Sequence, residues 1–252
     1  MVSPLKNKNL VFAMNEKIRS QGWHILPRDT TPAKAIVKYA GKGVEDVSGL
    51  EILDYQNNEL EEALSYVTKF DVAIDAGANY GFFTIHLDRF KEVHAFEIFT
   101  PVRECLEKNV ESFGMTNVKV HPCGLGDENK WVDIDPGMGT FSTHVDPTSS
   151  EKRFEIRTID SFEINACDFI KIDCEGYESF ILDGAKKTIT KFNPIILMEN
   201  KGHSERYGLD RESPVTKLLE WGYEILVGYR KDVIMGPRYM KRWDFIKQLM
   251  GG

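Results

Sequence analysis

Short apolar runs alternate along this chain with segments of helical period, the pattern of a β-α-β fold around a mostly parallel sheet. Val72–Asp75 reads as a buried strand, followed by a glycine-rich turn and a helix from about Tyr80 to Phe90. The row Phe83, Leu87, Phe90 in that helix is core packing. Val93–Phe96 is a second strand. Thr100-Pro101 then opens a helix with a cap and a proline at the first helical position, and Val102, Leu106, Val110 and Phe113 hold the 3.6-residue period up to Gly114. Val118–His121 is the third strand, Phe169–Asp173 the fourth and Ile195–Glu199 the fifth, with a helix over Glu178–Ile189 between the last two. Ser213-Pro214 starts a helix that ends at Gly222, before two further strands, Tyr223–Val227 and Asp232–Met235, close enough together to include an antiparallel partner. Two alternating runs, Trp131–Asp135 and Arg153–Arg157, flank a Gly/Thr/Ser/Pro-rich loop and predict a β-hairpin insertion over 131–157. The expectation is a single α/β domain: a doubly wound, seven-stranded, mostly parallel sheet with an antiparallel strand near the C-terminus.

The ends of the chain differ from this middle. The first 45 residues match no strand–helix alternation and read as an extension, and Tyr239–Met250 reads as a short basic amphipathic helix, giving segments 1–45, 46–237 and 238–252. Residues 1–42 hold eight Lys or Arg against Glu16 and Asp29, a net of +6 in a chain of formal charge −7, so the remainder carries −13. Such a body is not a generic coat for phosphate backbones, and nucleic acid is not the expected partner. The basic arm reads as a solvated extension packed on the domain, or as a recruiter of an anionic group.

With 252 residues, 42% of them hydrophobic, the chain can bury a core without disulfides or a structural metal. Cys105, Cys123, Cys167 and Cys174 form no C-x-x-C pair and no zinc-type spacing, which predicts free thiols in a reducing compartment. Met1–Leu10 has no apolar signal core, and no apolar run approaches the ~20 residues of a membrane helix. A cytoplasmic location is expected.

The segment Asp75-Ala-Gly77-Ala-Asn79-Tyr-Gly81 follows a strand at the sheet edge where doubly wound folds bind ligands. Glycines there let the backbone approach a ligand closely. A dinucleotide G-x-G-x-x-G would need glycines where Asn79 and Phe82 stand. Glu97 ends the next strand 20 residues after Gly77, where a carboxylate can accept both hydrogen bonds of a ribose diol. Nucleoside binding is the expectation.

The strings IDAGANYGFFT, HAFEIFTP, CGLGD, RTIDSF and above all DFIKIDCEGYESFILDGA resemble the FkbM-type family of class I S-adenosylmethionine-dependent methyltransferases, over about residues 59–235. The resemblance implies a Rossmann-like methyltransferase domain over 46–237, with Asp75, Gly77, Asn79 and Gly81 around the methionine part of the cofactor. It further implies that Glu97 holds the ribose and that Cys123, Gly124 and Asp127, within 123–127, lie along the adenine. The family mostly O-methylates hydroxyls of sugars, glycans and polyketide-like small molecules, so a small-molecule or glycan acceptor is expected.

Methyl transfer to a weakly nucleophilic hydroxyl gains from a base that removes the proton or from a metal that acidifies it. The polar residues after the fourth and fifth strands are the candidates: Asp173 as base, with Glu199 and His203 in support. Glu175 lies in the same stretch, and Asp173 and Glu175 read alternatively as caps of the following helix. Lys171, two residues before Asp173, shares its side of the strand and is expected to pair with it. Asp173, Glu199 and Asn200 also parallel the magnesium set of catechol-type O-methyltransferases, with Glu199 where that set has Asp. The loop Gly137–His144 is placed to offer hydroxyl and amide groups to a sugar, with Phe141 or Trp131 as a stacking platform, or else is a surface hairpin.

Two rivals remain. Lys38, Asp173, Lys201 and Glu224 can be aligned with the Lys-Asp-Lys-Glu arrangement of RNA 2′-O-methyltransferases, although Lys38 lies outside the matched domain and Glu224 in mid-strand. A cofactor-binding scaffold without catalysis is the other.

Overall fold

The structure is a computed structural model that describes residues 4–41, 45–51, 57–137 and 139–239. The C-terminal helix expected over Tyr239–Met250 therefore lies, beyond Tyr239, outside the described residues.

Seven strands form the central sheet: β1 (Val72–Ala76), β2 (Glu92–Phe96), β3 (Val118–His121), β9 (Phe169–Ile172), β10 (Ile195–Glu199), β11 (Tyr223–Gly228) and β12 (Asp232–Pro237). Their spatial order is β11-β12-β10-β9-β1-β2-β3, and β12 runs antiparallel to both of its neighbours while the rest of the sheet is parallel. β1, β9 and β10 are buried along their whole length, which is why they read as mostly apolar runs instead of alternating ones, with Asp75, Lys171 and Glu199 as buried charges among them. The order reverses at β1, whose neighbours are β2 and β9. A crevice at the carboxyl ends of these strands is the geometric consequence.

Helices α3 (Asn57–Ser65), α4 (Thr100–Ser112), α5 (Glu178–Gly184), α6 (Lys186–Phe192) and α7 (Ser213–Glu220) belong to this body. Two differ from expectation. The helix expected over Tyr80–Phe90 is only a 3-10 turn, Thr84–Leu87. Its apolar residues serve separate cores: Phe82 packs toward the N-terminal arm, while Leu87 and Phe90 pack under the sheet. The Thr84 hydroxyl donates to buried Asp75 at 2.7 Å and draws the turn against β1. Aromatic and β-branched residues give little intrinsic helix preference to resist this. The helix expected over Glu178–Ile189 is broken at Ala185 into α5 and α6, because Asp160 caps the second piece by accepting from the N–H groups of Lys187 and Thr188.

The hairpin forms between β5 (Lys130–Val132) and β8 (Phe154–Arg157), with β4 (Gly124–Leu125) added parallel to β8. A second ribbon pairs β6 (Ile134–Asp135) with β7 (His144–Val145).

The N-terminal segment supplies α1 (Pro4–Ser20) and α2 (Thr31–Tyr39). Its apolar residues are buried: Met14, Ile18 and Trp23 share a core with Tyr80, Phe82 and Val102. Trp23 lies 4.7 Å from Phe82 and 4.6 Å from Phe113, centroid to centroid. Buried Asn109 of α4 accepts from the His24 N–H at 2.6 Å and donates to the carbonyls of His24 and Tyr80 at 3.0 and 2.8 Å. Three satisfied bonds on one buried amide fix the arm to the turn after β1. No helix of the described residues is long and apolar enough to cross a membrane.

Candidate active site

A cleft of about 1030 Å³, its open mouth included, lies at the carboxyl ends of β1, β2 and β9 and under the insertion. One wall is the turn after β1. Gly77 sits at φ +78, and a Cβ there would stand 2.2 Å from the carbonyl oxygen of Asp173, so only glycine lets the β1 and β9 turns touch. The N–H groups of Gly77 and Ala78 both donate to Phe96 O, at 3.1 and 3.0 Å. Asn79 follows in the left-handed region at φ 52, an uncommon conformation for a non-glycine residue.

Glu97, 7% exposed, stands in the cleft wall at the end of β2. Its two carboxylate oxygens accept from the N–H groups of Asn79 and Phe99 at 2.9 and 2.8 Å. Burial pushes its pKa up to about 7 against the opposing pull of those N–H groups. Beyond Glu97, Ile98, Gly124, Leu125 and Ile156 give the cleft an apolar lining, with Gly124 packed between Ile98 and Ile156.

The floor holds a buried charge network. Lys171 lies 3.7 Å from Asp75 and 3.8 Å from Asp173, and its ammonium is 4.6 Å from the Phe83 ring centre. Burial opposes the Lys171 charge, but Asp173 and Asp75 outweigh it and raise its pKa. The expected Lys171–Asp173 pair is thus present, with Asp75 as a third member. Asp173 lines the cleft beside Gly77 and Asn79.

After Asp173 the chain turns through Glu175, also left-handed at φ 53, and Gly176, where a Cβ would stand 2.4 Å from the backbone oxygen of His203. This close approach brings the β9 turn against the segment after β10. His203 Nδ1 is 2.8 Å from Glu175 and 3.8 Å from Glu199, and Lys201 pairs with Glu199 and lies 4.0 Å from Glu175. Burial, then repulsion from Asp173, pushes the Glu175 pKa up to about 7. Burial and the nearby Lys201 and Arg206 lower that of His203.

Of the residues singled out in the sequence, Gly77, Asn79, Glu97, Gly124 and Asp173 line the cleft. Asp75 lies beneath it, tied to Thr84 and Lys171. Gly81 turns the chain against Leu106, and Cys123 is in the core behind Gly124. Asp127 is exposed and paired with Lys130 at 3.0 Å. Glu199 lines a smaller adjoining cavity with Glu59, Asp173 and Asp232, and His203 stands behind Glu175. Asn200 turns its amide to Glu212 at 3.1 Å. Phe141 lines the cleft, whereas Trp131 is 57% exposed on the outer hairpin. Glu224 lies on β11, separated from β9 by β12 and β10.

Three participants make contacts that the local sequence did not specify. Lys201 lines the cleft, the Thr140 carbonyl accepts from the Asn79 amide at 3.1 Å, and Asp29 accepts from the hydroxyls of Tyr80 and Thr140. Only tertiary structure brings them together.

The sequence profile of the Methyltransferase FkbM domain matches residues 75–225. Among solved structures, the chain is similar to methyltransferase FkbM from Methylobacillus flagellatus KT at 16% identity and a TM-score of 0.47, over 92% of this chain and 58% of that one. It is also similar to precorrin-6y C5,15-methyltransferase from Geobacter metallireducens GS-15 (14% identity, 70% of this chain and 84% of that one, TM-score 0.43). A third is SMU.1697c from Streptococcus mutans, solved with SAH (13% identity, 71% of this chain and 96% of that one, TM-score 0.44). The chain thus spans 58% of the length of the M. flagellatus protein. No curated protein matches it in sequence. With the family profile spanning the glycine turn, Glu97 and the Asp173 turn, the chain belongs to the FkbM family of S-adenosylmethionine-dependent methyltransferases.

Proposed function

We propose that the protein O-methylates a hydroxyl of a sugar, glycan or glycosylated small molecule, with Asp173 as the base. The observation that carries this reading is the position of Asp173, which lines the cleft beside the glycine turn.

The cleft's residues fit the cofactor. Glu97 is a buried carboxylate held by two backbone N–H groups and no ion pair among the described residues, which leaves acceptor lone pairs for a vicinal diol. Gly77 and Asn79 would hold the methionine part, and Ile98, Gly124, Leu125 and Ile156 the adenine. S-adenosylmethionine supplies, when bound, an electrophilic methyl and a neutral thioether leaving group. The chain's own task is to orient the acceptor oxygen, exclude water and take the hydroxyl proton. Asp173 lines the cleft and is assigned the last, with the Lys171 ammonium 3.8 Å from its carboxylate. Phe141, Thr143 and His144 of the insertion overhang the same space and offer a sugar an aromatic face and polar edges.

Magnesium at Asp173, Glu199 and Asn200 is not part of this proposal, because Lys201 already pairs with Glu199. Glu199 and His203 enter it as supports of the Asp173 turn. The testing experiment incubates the full chain with methyl-labelled cofactor and a panel of glycans, nucleotide sugars, polyketide-like alcohols and RNA. The expected result is label in a glycan or sugar hydroxyl; label in RNA alone overturns the reading.

A further inference from the structure

Glu175, Lys201, Glu199 and His203 close a ring of side chains at the lip of the cleft. Two carboxylates face each other, Glu199 3% exposed and Glu175 half-buried. His203 Nδ1 joins them on one side, 2.8 Å from Oε2 of Glu175 and 3.8 Å from Oε2 of Glu199. Lys201 Nζ joins them on the other, paired with Oε1 of Glu199 and 4.0 Å from Oε1 of Glu175.

One ligand atom each from Glu175, Glu199 and His203 lie within 4.8 Å of one another. That spacing suits donors around one divalent ion, for which metal–ligand bonds of about 2.1 Å place neighbouring donors roughly 3–4 Å apart. Two carboxylates and an imidazole form a donor set for Mn²⁺, Fe²⁺ or Zn²⁺. The ring already contains a cation, however. A buried Glu199 without a partner would be costly, and Lys201, two residues along the chain, supplies the charge without the entropy loss of capturing a free ion.

We propose that Lys201 is the resident cation of this ring, occupying the seat a divalent metal would take, so that the wild-type protein works without one. Lys201 also lines the cleft with Asp173 and Glu175, so the ring adjoins the space proposed for the acceptor. The assignment does not depend on the acceptor being a sugar, since its test reads metal binding and not turnover.

The test titrates the full chain with Mn²⁺ and follows the free ion by electron paramagnetic resonance. Wild type and Lys201→Arg should leave the ion free at one equivalent. Lys201→Met should bind one equivalent at least tenfold more tightly than wild type, and adding Glu175→Gln should abolish that binding. Thermal unfolding of each variant checks that it folds, and Lys201→Gln carries the same expectation if Lys201→Met does not. Stoichiometric binding by wild type that Glu175→Gln removes would overturn the proposal. So would the absence of any gain in binding by the charge-free variants.

Discussion

The Tyr80 hydroxyl donates to the Asp29 carboxylate at 2.8 Å, joining the turn after β1 to the N-terminal arm. The same Asp29 oxygen accepts from the Thr140 hydroxyl at 2.6 Å, and the Thr140 carbonyl accepts from Asn79. One arm carboxylate thus couples the glycine turn to the insertion across the top of the cleft. The fully buried Tyr80 has its pKa raised by burial and by Asp29, so it remains a hydroxyl donor.

This coupling predicts a binding defect from a residue outside the family match. Asp29→Ala leaves a buried tyrosine hydroxyl without its acceptor and should cost about 1–3 kcal/mol. In a chain of 252 residues that lowers the unfolding midpoint by roughly 2–4 °C per kcal/mol. Calorimetry should find S-adenosylhomocysteine affinity reduced as well, whereas unchanged affinity with a lowered midpoint would confine Asp29 to stability.

Glu97 predicts a pH dependence with a definite sign. Its folded pKa of about 7 lies above the ordinary glutamate value of 4.5, so the folded state holds the proton more tightly than the unfolded chain does. The stability this contributes is present below about 4.5 and is lost as pH rises through about 7. Cofactor binding runs the other way, since a ribose diol donates best to the ionised carboxylate. S-adenosylhomocysteine affinity should therefore fall as pH drops below about 7, up to tenfold per unit, and Glu97→Gln should flatten the profile. A wild-type profile flat from pH 5.5 to 8 would contradict this role.

Gly77→Ala tests the contact between the two turns. The new methyl would stand 2.2 Å from Asp173 O at a φ of +78, so backbone and neighbour must both shift. A loss on the order of 2–4 kcal/mol is expected, measurable by denaturant unfolding, with cofactor affinity lost alongside it. A variant as stable as wild type would mean the turns do not touch as described.

The strand-end residues were legible in the sequence for a physical reason. Gly77, Glu97 and Asp173 each follow a short buried run, so their place at the sheet edge comes with the strand. The Phe83, Leu87, Phe90 row was not decisive, because its spacing suits a helix and equally a 3-10 turn with residues packed on either side. Local pattern offered Lys201 only as a member of the Lys-Asp-Lys-Glu alignment and left Asp29 unassigned. Lys201 acquires its partners through the approach of Gly176 to His203, and Asp29 through an arm whose basic residues mask a buried apolar face. Glu199 shows the converse: it has the right spacing for a ligand set, but Lys201 takes its carboxylate.

The most direct test of the account compares wild type and Asp173→Asn in one experiment, measuring S-adenosylhomocysteine affinity by calorimetry and label transfer to the acceptor the panel identifies. Affinity should stay within about threefold of wild type while transfer falls at least ~100-fold, the scale of a lost general base. Transfer by Asp173→Asn at the wild-type rate, with the label on a hydroxyl, would contradict it.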